Sequence, residues 1–228
     1  MTEQGQLAAA AWQERDFARS WARDDAIGDM LEFPRRMAAA IVAPETENPA
    51  CVVDVASGPG DFLAVFLEQF PGTRGVWTDA SDAMLELARE RLEPFGDRVD
   101  FRIGDMTDLA AAGIPAGADV IMTSRAAHHL DPRALASFYE QAAGYLAPGG
   151  WLINLDHIFP GERWDARVRS ARKQLFPAPS EVRPHHQHEQ GLPSMTDHLA
   201  GFAAAGIDDV DVPWRAFFTC LFMGRRAA

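Results

Sequence analysis

The sequence predicts an α/β fold: a doubly wound, mostly parallel sheet of seven strands that ends in an antiparallel hairpin. Two observations carry this prediction. From about Cys51 onward, short β-branched runs alternate with segments of helical spacing, which implies right-handed crossovers between parallel strands. Toward the C-terminus, two strand-like runs follow each other directly. The length of 228 residues suits one domain of this kind with short additions.

Each predicted strand is a short apolar run that ends at turn residues. The first, Cys51–Val55, stops at the turn Ala-Ser-Gly-Pro-Gly. The others are residues 75–78, 99–103, 118–123 and 151–155, then 210–214 and 217–223, the last two joined around Arg215 and Ala216.

Helices are predicted between the strands from their spacing and their caps. Residues 61–70 place four apolar side chains on one face. Ser81 is a typical N-cap for a helix that runs to Pro94. Asp131 and Pro132 begin a helix that ends at residues 148–150, and Gly206 ends a helix over residues 194–205.

Two segments do not fit the alternation. Residues 1–45 contain no strand and show helical spacing over 7–20 and 22–43, interrupted near Gly28 and Pro34. They are expected to form a helical lid or a packed N-terminal layer. The main domain would then be residues 46–228. Within it, residues 159–193 read as a helix (162–176) and a Pro- and His-rich loop, inserted on the substrate side.

Charge and composition exclude several functions. With 21 Lys and Arg against 33 Asp and Glu, the net charge is -12, and such a surface repels nucleic acid and anionic lipid. Two cysteines are too few for a disulfide framework. No apolar run is long enough to span a membrane, and the N-terminus lacks the basic region of a secretory signal. A cytoplasmic protein is expected, no metal ligands are assigned, and its oligomeric state is left open.

The turn after the first strand predicts a ligand site. Gly58 and Gly60 allow a tight turn and a close approach of the ligand to the backbone. The turn lacks the lysine of a phosphate loop, and Asp54 and Asp61 make it acidic, which favours a cationic ligand.

Acidic residues also end the second and third strands. Asp79 would lie beside the glycine turn, where a carboxylate accepts hydrogen bonds from ribose hydroxyls. Asp105 follows Gly104 and could accept a hydrogen bond from an adenine amino group. Acids in this order around a glycine turn indicate a nucleoside-containing ligand.

From about residue 50 onward, the chain resembles the class I S-adenosylmethionine-dependent methyltransferases, which have a Rossmann-like fold. The resemblance rests on an acid followed by spaced glycines, with Ala56 in place of the first glycine, and on the phrases Asp79–Met84, Gly104–Met106 and 146–150. It implies S-adenosylmethionine as the cofactor. The implied cofactor-binding residues are Asp54, Ala56, Ser57, Gly58, Gly60, Asp79, Ala80, Met84, Gly104, Asp105, Met106, Ser124 and Arg125.

All seven histidines lie after residue 127, and several follow predicted strands. A histidine is a suitable general base if the methyl acceptor must lose a proton. Candidate bases are His129, then His128 and His157. For the first two, contact with the methionine end or simple packing is the alternative. The candidate acceptor-binding residues are Asp156, His185, His186 and His188, with Trp12, Phe17 and Trp21 from the N-terminal segment. An exposed polar loop or a metal site is the alternative for residues 185–189, and buried packing is the alternative for the three aromatic residues.

The predicted function is therefore methyl transfer from S-adenosylmethionine to an oxygen, nitrogen or carbon atom of a small molecule in an enclosed pocket. Two alternatives stay open: a non-catalytic protein that binds the cofactor, and a protein or RNA methyltransferase. The negative charge disfavours RNA.

Overall fold

The structure is a computed structural model that describes residues 25–46, 48–175 and 191–228. The helices that it describes are α1 (Asp25–Val42), α2 (Asp61–Gln69), α3 (Asp82–Leu92), α4 (Pro132–Tyr145), α5 (Glu162–Leu175) and α6 (Met195–Ala204). The strands are β1 (Cys51–Val55), β2 (Arg74–Asp79), β3 (Val99–Ile103), β4 (Ala118–Ser124), β5 (Leu146–His157), β6 (Asp209–Ala216) and β7 (Thr219–Arg225). Short 3-10 helices cover Glu93–Arg98 and Ala127–His129.

The strands form one seven-stranded sheet in the order β3-β2-β1-β4-β5-β7-β6. β1 pairs in parallel with both β2 and β4, and β7 pairs antiparallel with its two neighbours. The strand order reverses between β1 and β4. In open α/β sheets, ligands bind at the carboxyl ends of the strands at such a reversal. The predicted fold class is confirmed, including the C-terminal hairpin.

Apolar layers cover both faces of the sheet. One core packs α1, α2 and α3 against it, with Leu31, Phe66 and Trp77 among the fully buried side chains. The other core packs α4 and α6 against the opposite face, around Phe138 and Phe202. Both faces of the sheet are therefore packed. This packing fixes the positions of the carboxyl ends of β1 and β4, between which the strand order reverses.

Local signals predicted most of the helix ends correctly. The Ser81 side chain accepts a hydrogen bond from the Met84 backbone N–H, and Asp131 caps α4 ahead of Pro132. Ser194 and Asp197 form a capping box at the start of α6, and Gly206 ends it with φ 74°.

Three predicted boundaries are wrong. α1 runs unbroken through Gly28 and Pro34. Helix α4 stops at Tyr145 rather than near Pro148, because Leu146 already pairs with Ala118 in the sheet. The regular pairing of the two strands is then interrupted and resumes at Trp151. The hairpin turn falls at residues 217–218 instead of 215–216, with Ala216 paired to Thr219.

The two additions to the alternating pattern are partly described. Among the residues of α1, Leu31, Ala38 and Val42 are fully buried in the core, while residues 1–24 lie outside the described part. The ends of the predicted insertion meet, since Phe159 donates its N–H to the Pro193 carbonyl at 2.8 Å and bridges to Ser194. The domain boundaries stay a prediction. No helix in the described ranges is both long and apolar enough to cross a membrane.

Candidate active site

The glycine turn joins β1 to α2 in a left-handed backbone conformation. Ala56, Gly58 and Gly60 have φ values of 51°, 57° and 87°. A Cβ on Gly60 would lie 2.8 Å from a methyl group of Leu92, so a side chain there is excluded by space as well as by conformation.

Strand β2 holds both polar groups of the Gly58 peptide. The Gly58 N–H donates to Asp79 Oδ2 at 2.9 Å, and its carbonyl accepts from Trp77 Nε1 at 2.9 Å. The other carboxylate oxygen of Asp79 accepts from the Ser81 N–H at 2.9 Å. Asp79 is half-buried and Ala80 beside it is exposed, so this carboxylate still borders open space.

Asp54 lies beneath the turn and is fully buried. Its Oδ2 accepts from the Ser57 hydroxyl at 2.6 Å, whereas its Oδ1 has no hydrogen-bond partner among the residues that the structure describes. Burial raises the pKa of Asp54 to about 7, although the Ser57 hydroxyl and the Arg35 charge act in the opposite direction. A buried carboxylate with an unsatisfied oxygen is suited to a cationic ligand.

A buried arginine from α1 completes the electrostatics of the turn. The Arg35 side chain is 6% exposed, and its guanidinium lies 3.8 Å from the Asp61 carboxylate. Its Nε is buried and has no hydrogen-bond partner within the described part of the chain. Burial lowers the pKa of Arg35, and the charges of Asp61 and Asp54 offset this effect.

Sequence reasoning missed both Arg35 and Trp77. Arg35 interrupts an apolar stripe on α1 that includes Leu31, Ala38 and Val42, and this pattern was a usable signal. Trp77 lies inside a buried strand, where its indole N–H needs an acceptor.

The remaining residues predicted to contact adenine are spread over β3 and α3. Gly104 donates its N–H to the Asp79 carbonyl at 3.0 Å, and a Cβ there would overlap Ala112. Asp105 is exposed, and its Oδ1 accepts from the N–H and hydroxyl of Thr107. Met106 is half-buried, and Met84 is 2% exposed in the core below the turn.

Strand β4 ends in a second strained turn. Arg125 has φ 54°, and its N–H donates to the Leu155 carbonyl of β5 at 2.9 Å. The Ser124 hydroxyl is buried and lacks a hydrogen-bond partner among the described residues. Because β1 and β4 are neighbours, Ser124 and the glycine turn border the same crevice.

Just beyond this turn, His128 and Asp156 form a buried pair. The two side chains are 3% and 0% exposed, and Nδ1 of His128 lies 2.5 Å from Asp156 Oδ1. Asp156 also accepts from the backbone N–H groups of His128 and His157, each at 2.8 Å. Burial alone would raise the pKa of Asp156, but the charge and hydrogen bond of His128 hold it well below its usual range.

This geometry determines which nitrogen of His128 carries the proton. An ionised carboxylate only accepts hydrogen bonds, so Nδ1 of His128 carries a hydrogen and Nε2 is the nitrogen that can exchange a proton. The other two predicted bases lie next to this ring: His129 is exposed, with its ring centroid 3.9 Å away, and His157 is half-buried at 5.1 Å. His157 is itself held by the Thr219 hydroxyl at 3.0 Å.

Behind Asp156 lies a second buried polar group that sequence reasoning also missed. The Tyr139 hydroxyl lies 2.7 Å from Nδ1 of His198 and accepts from Asn154 Nδ2 at 2.7 Å. Burial raises the pKa of Tyr139, so its hydroxyl keeps its proton and donates it to His198. Burial lowers the pKa of His198, which favours the neutral ring despite the nearby Asp156 charge.

Several predicted residues lie outside the described part of the chain: Trp12, Phe17, Trp21, His185, His186 and His188. Within residues 25–46, 48–175 and 191–228, no three His, Cys, Asp or Glu side chains are grouped so that they could hold a metal ion.

The fold and the glycine turn together resemble those of the class I S-adenosylmethionine-dependent methyltransferases. The family described as "Methyltransferase domain" matches residues 52–150, a segment that contains the glycine turn and the strand-end acids. S-adenosylmethionine is the methyl donor of this class. The buried, unpaired oxygens of Asp54 and Ser124 and the side-chain-free turn at Gly60 fit such a ligand.

Comparisons with individual proteins agree with this assignment. The chain is 34% identical over 108 residues to 3-amino-4-hydroxybenzoate 4-O-methyltransferase of Streptomyces cremeus, covering 47% of this chain and 28% of the relative. It is 31% identical over 111 residues to the mitomycin biosynthesis 6-O-methyltransferase of Streptomyces lavendulae, covering 48% and 30%. The matched segments thus span less than a third of the length of these relatives.

Solved structures extend the similarity of fold to most of the chain. An O-methyltransferase family protein from Burkholderia thailandensis superimposes with a TM-score of 0.67 at 22% identity, covering 92% of this chain and 62% of that one. At this identity the likeness describes the fold, and the acceptor must be argued from the site.

Proposed function

We propose that this protein transfers a methyl group from S-adenosylmethionine to the hydroxyl of a small phenol. The observation that carries the proposal is the buried His128–Asp156 pair, one short turn beyond the strand that borders the glycine turn. The named relatives act as O-methyltransferases, which supports an oxygen acceptor.

The residues around the turn have separate roles toward the cofactor. Asp79 would hold the ribose hydroxyls, since its half-buried carboxylate has lone-pair capacity beyond its hydrogen bonds from the backbone N–H groups of Gly58, Ser81 and Ala80. Asp54 would balance the positive charge at the methionine end, and Arg35 would bind the methionine carboxylate. When bound, S-adenosylmethionine supplies an electrophilic methyl group on a sulfonium that leaves as a neutral thioether.

His128 would remove the acceptor proton through Nε2. Asp156 orients the ring and stabilises the imidazolium that forms, because it is ionised, buried and bonded to Nδ1. The phenolic oxygen then forms the new bond to the methyl carbon while the carbon–sulfur bond breaks. A phenol, with a pKa near 10, lies within reach of a histidine base, whereas an aliphatic alcohol is far less acidic.

Geometry favours His128 over His129 as the base. His129 was the first choice from sequence, but its side chain is exposed and the Asp156 carboxylate contacts His128. A base that is buried and oriented by a carboxylate excludes competing water and keeps one tautomer.

The test is turnover of a phenol panel with matched variants. His128→Gln should lower the rate by ~10²–10⁴-fold with unchanged cofactor affinity. His129→Gln, on the adjacent exposed residue, is the control and should retain most activity. Full activity of His128→Gln would overturn its role as base. Cofactor binding without methylation of any acceptor would favour the non-catalytic alternative.

A further inference from the structure

Helix α5 has one line of half-buried residues along its length. None of its residues is fully buried, but Asp165, Val168 and Arg172 are half-buried at a spacing of three and four. This spacing defines the inner face of the helix. Arg172 is the member of this face nearest the C-terminus of α5.

A row of neighbouring side chains connects Arg172 to the proposed base. The Arg172 guanidinium carbon lies 5.3 Å from the centroid of the Phe218 ring. The Phe218 ring is 5.2 Å from that of His157, edge to face, and His157 is 5.1 Å from His128. Arg172 is therefore three steps of about 5 Å away from the residue that would deprotonate the acceptor.

The backbone of Phe218 is held in place by its hydrogen bond to β5's neighbouring residue Ile158. It occupies the β6–β7 turn, where the preceding Phe217 has φ 55°, and its carbonyl accepts from the Ile158 N–H at 2.7 Å. A bulky residue with positive φ is strained, and such strain persists where the surroundings demand it, often at functional sites.

Among the described residues, no carboxylate lies within ion-pair distance of Arg172. On the same helix, by contrast, Arg169 pairs with Asp165 at 2.8 Å. The protein has 33 acidic residues, so an anionic ligand could be held only where a cation is specifically placed. A guanidinium can contact an aromatic ring and still present its N–H groups to a carboxylate in a bidentate geometry.

We propose that Arg172 binds a carboxylate on the methyl acceptor, so that the preferred substrates are phenolic acids. The inference rests on the proposed function, since it places the acceptor hydroxyl at His128. The carboxylate anchors the far end of the molecule, and the aromatic rings of His157 and Phe218 lie along its length. The three successive separations of 5.1, 5.2 and 5.3 Å between His128 and Arg172 suit an acid that is one or two aromatic rings long.

The experiment compares acids with their neutral esters. Wild-type protein is assayed with 4-hydroxybenzoate and 4-hydroxycinnamate and with the methyl ester of each, and binding of the acids is measured by calorimetry with S-adenosylhomocysteine present. We expect higher kcat/KM for the acids. Arg172→Met should lower kcat/KM for the acids by about 10- to 100-fold, mainly through KM, and weaken their binding to a similar extent. It should leave the esters unchanged.

Control variants separate recognition from packing. Arg163→Met removes a cation from the exposed face of the same helix and should change neither substrate class. Arg172→Lys keeps the charge without the planar fork and should lie between wild type and Arg172→Met. Equal losses for acids and esters in Arg172→Met would overturn the inference, because they would mean that Arg172 only docks α5 through Phe218.

The outcomes also separate this inference from the proposed function. Methylation of esters with no preference for acids would overturn the role of Arg172 and leave phenol methylation standing. Failure to methylate any phenol would refute the proposed function. Acid binding that depends on Arg172 would then still support the carboxylate site, and acids that do not bind to the wild type would refute it.

Discussion

Two non-glycine residues with strained backbones flank the cofactor crevice. Ala56 and Arg125 end the neighbouring strands β1 and β4 with φ values of 51° and 54°. A left-handed conformation costs an L-residue about 1–2 kcal/mol. Both residues turn the chain sharply where ligands bind in this fold, so the strain accompanies the formation of the site.

Replacing Ala56 with glycine should stabilise the protein. Relief of about 1–2 kcal/mol of strain exceeds the roughly 0.4–1 kcal/mol by which glycine favours the unfolded chain, so a net gain of about 0.5–1 kcal/mol is expected. Urea unfolding measures it. Ala64→Gly, inside α2, is the control and should lose about 1 kcal/mol or more. A lower unfolding free energy for Ala56→Gly would show that the Ala56 methyl group stabilises the folded protein by more than its left-handed backbone conformation destabilises it.

Asp54 should make folding stability depend on pH. Its pKa is raised to about 7 in the folded state, above the value of about 3.9 for an unfolded chain. The native state then holds a proton that the unfolded state releases. This contribution is fully present below about pH 4 and is lost as the pH rises to about 7, with a slope of up to about 1.4 kcal/mol per pH unit.

Asp54→Asn isolates this effect because it lacks the titrating group. The difference in unfolding free energy between wild type and Asp54→Asn should change between about pH 4 and 7 and level off above that range. Parallel pH curves for the two proteins would contradict the raised pKa of Asp54. The affinity of the wild type for the cationic cofactor should also increase with pH across the same range.

At the scale of elements, β2 acts as a clamp on the glycine turn through Trp77 and Asp79. The clamp exists because β2 is parallel to β1 and ends beside the turn, where the Thr78 carbonyl accepts a hydrogen bond from the Ser57 N–H at 3.0 Å. One strand thus holds the turn at three points.

Trp77→Phe should loosen this clamp. It leaves the buried Gly58 carbonyl without its donor, which should cost about 1–3 kcal/mol of stability and weaken cofactor binding. The chain offers a matched control in Trp151→Phe on β5, because the Trp151 Nε1 is buried and makes no hydrogen bond with any described residue. Calorimetry and thermal unfolding of both variants give the comparison. Equal losses of stability and cofactor affinity in the two variants would mean that the buried area of the indole ring, and not the hydrogen bond of Trp77, accounts for the effect.

Elements with strong local signals were predictable from the sequence. β3 occupies the expected residues, and Ser81, Asp131 and Ser194 cap the helices that they were expected to cap. The hairpin turn was misplaced because Phe217 and Phe218 look like strand residues, and only the pairing of Ala216 with Thr219 makes them a turn.

The site was predictable where it is contiguous in sequence. The turn from Asp54 to Gly60 and the acid Asp79 were located from their spacing. The contact of His128 with Asp156 joins residues 28 positions apart, and Arg35 reaches the turn from a preceding helix. Such contacts depend on packing, which periodicity does not encode.

At the scale of the molecule, deletions can test the role of the N-terminal region. Deleting residues 1–24 keeps α1, whose Leu31, Ala38 and Val42 belong to the core, so we expect the sheet to stay folded. It removes Trp12, Phe17 and Trp21, which the sequence places in a lid. Methyl transfer should therefore fall more than cofactor binding, measured by turnover and calorimetry of the same preparation.

Deletion of residues 1–42 is the contrasting variant. It removes the buried face of α1 together with Arg35, so unfolding at a much lower temperature is expected. Full turnover after loss of residues 1–24 would refute the lid, and unfolding of that shorter deletion would show that the segment belongs to the core.

The contact between Phe159 and Pro193 has a consequence for how acceptor preference could evolve. The chain leaves the end of β5 and comes back beside it just before α6, so the two ends of the intervening segment are held together. Doubling the length of such an excursion costs only about 0.6 kcal/mol of loop entropy. The segment between Phe159 and Pro193 can therefore be exchanged for one of another length or sequence. A graft from a homologue between these anchors should transplant its substrate preference onto an unaltered cofactor-binding sheet.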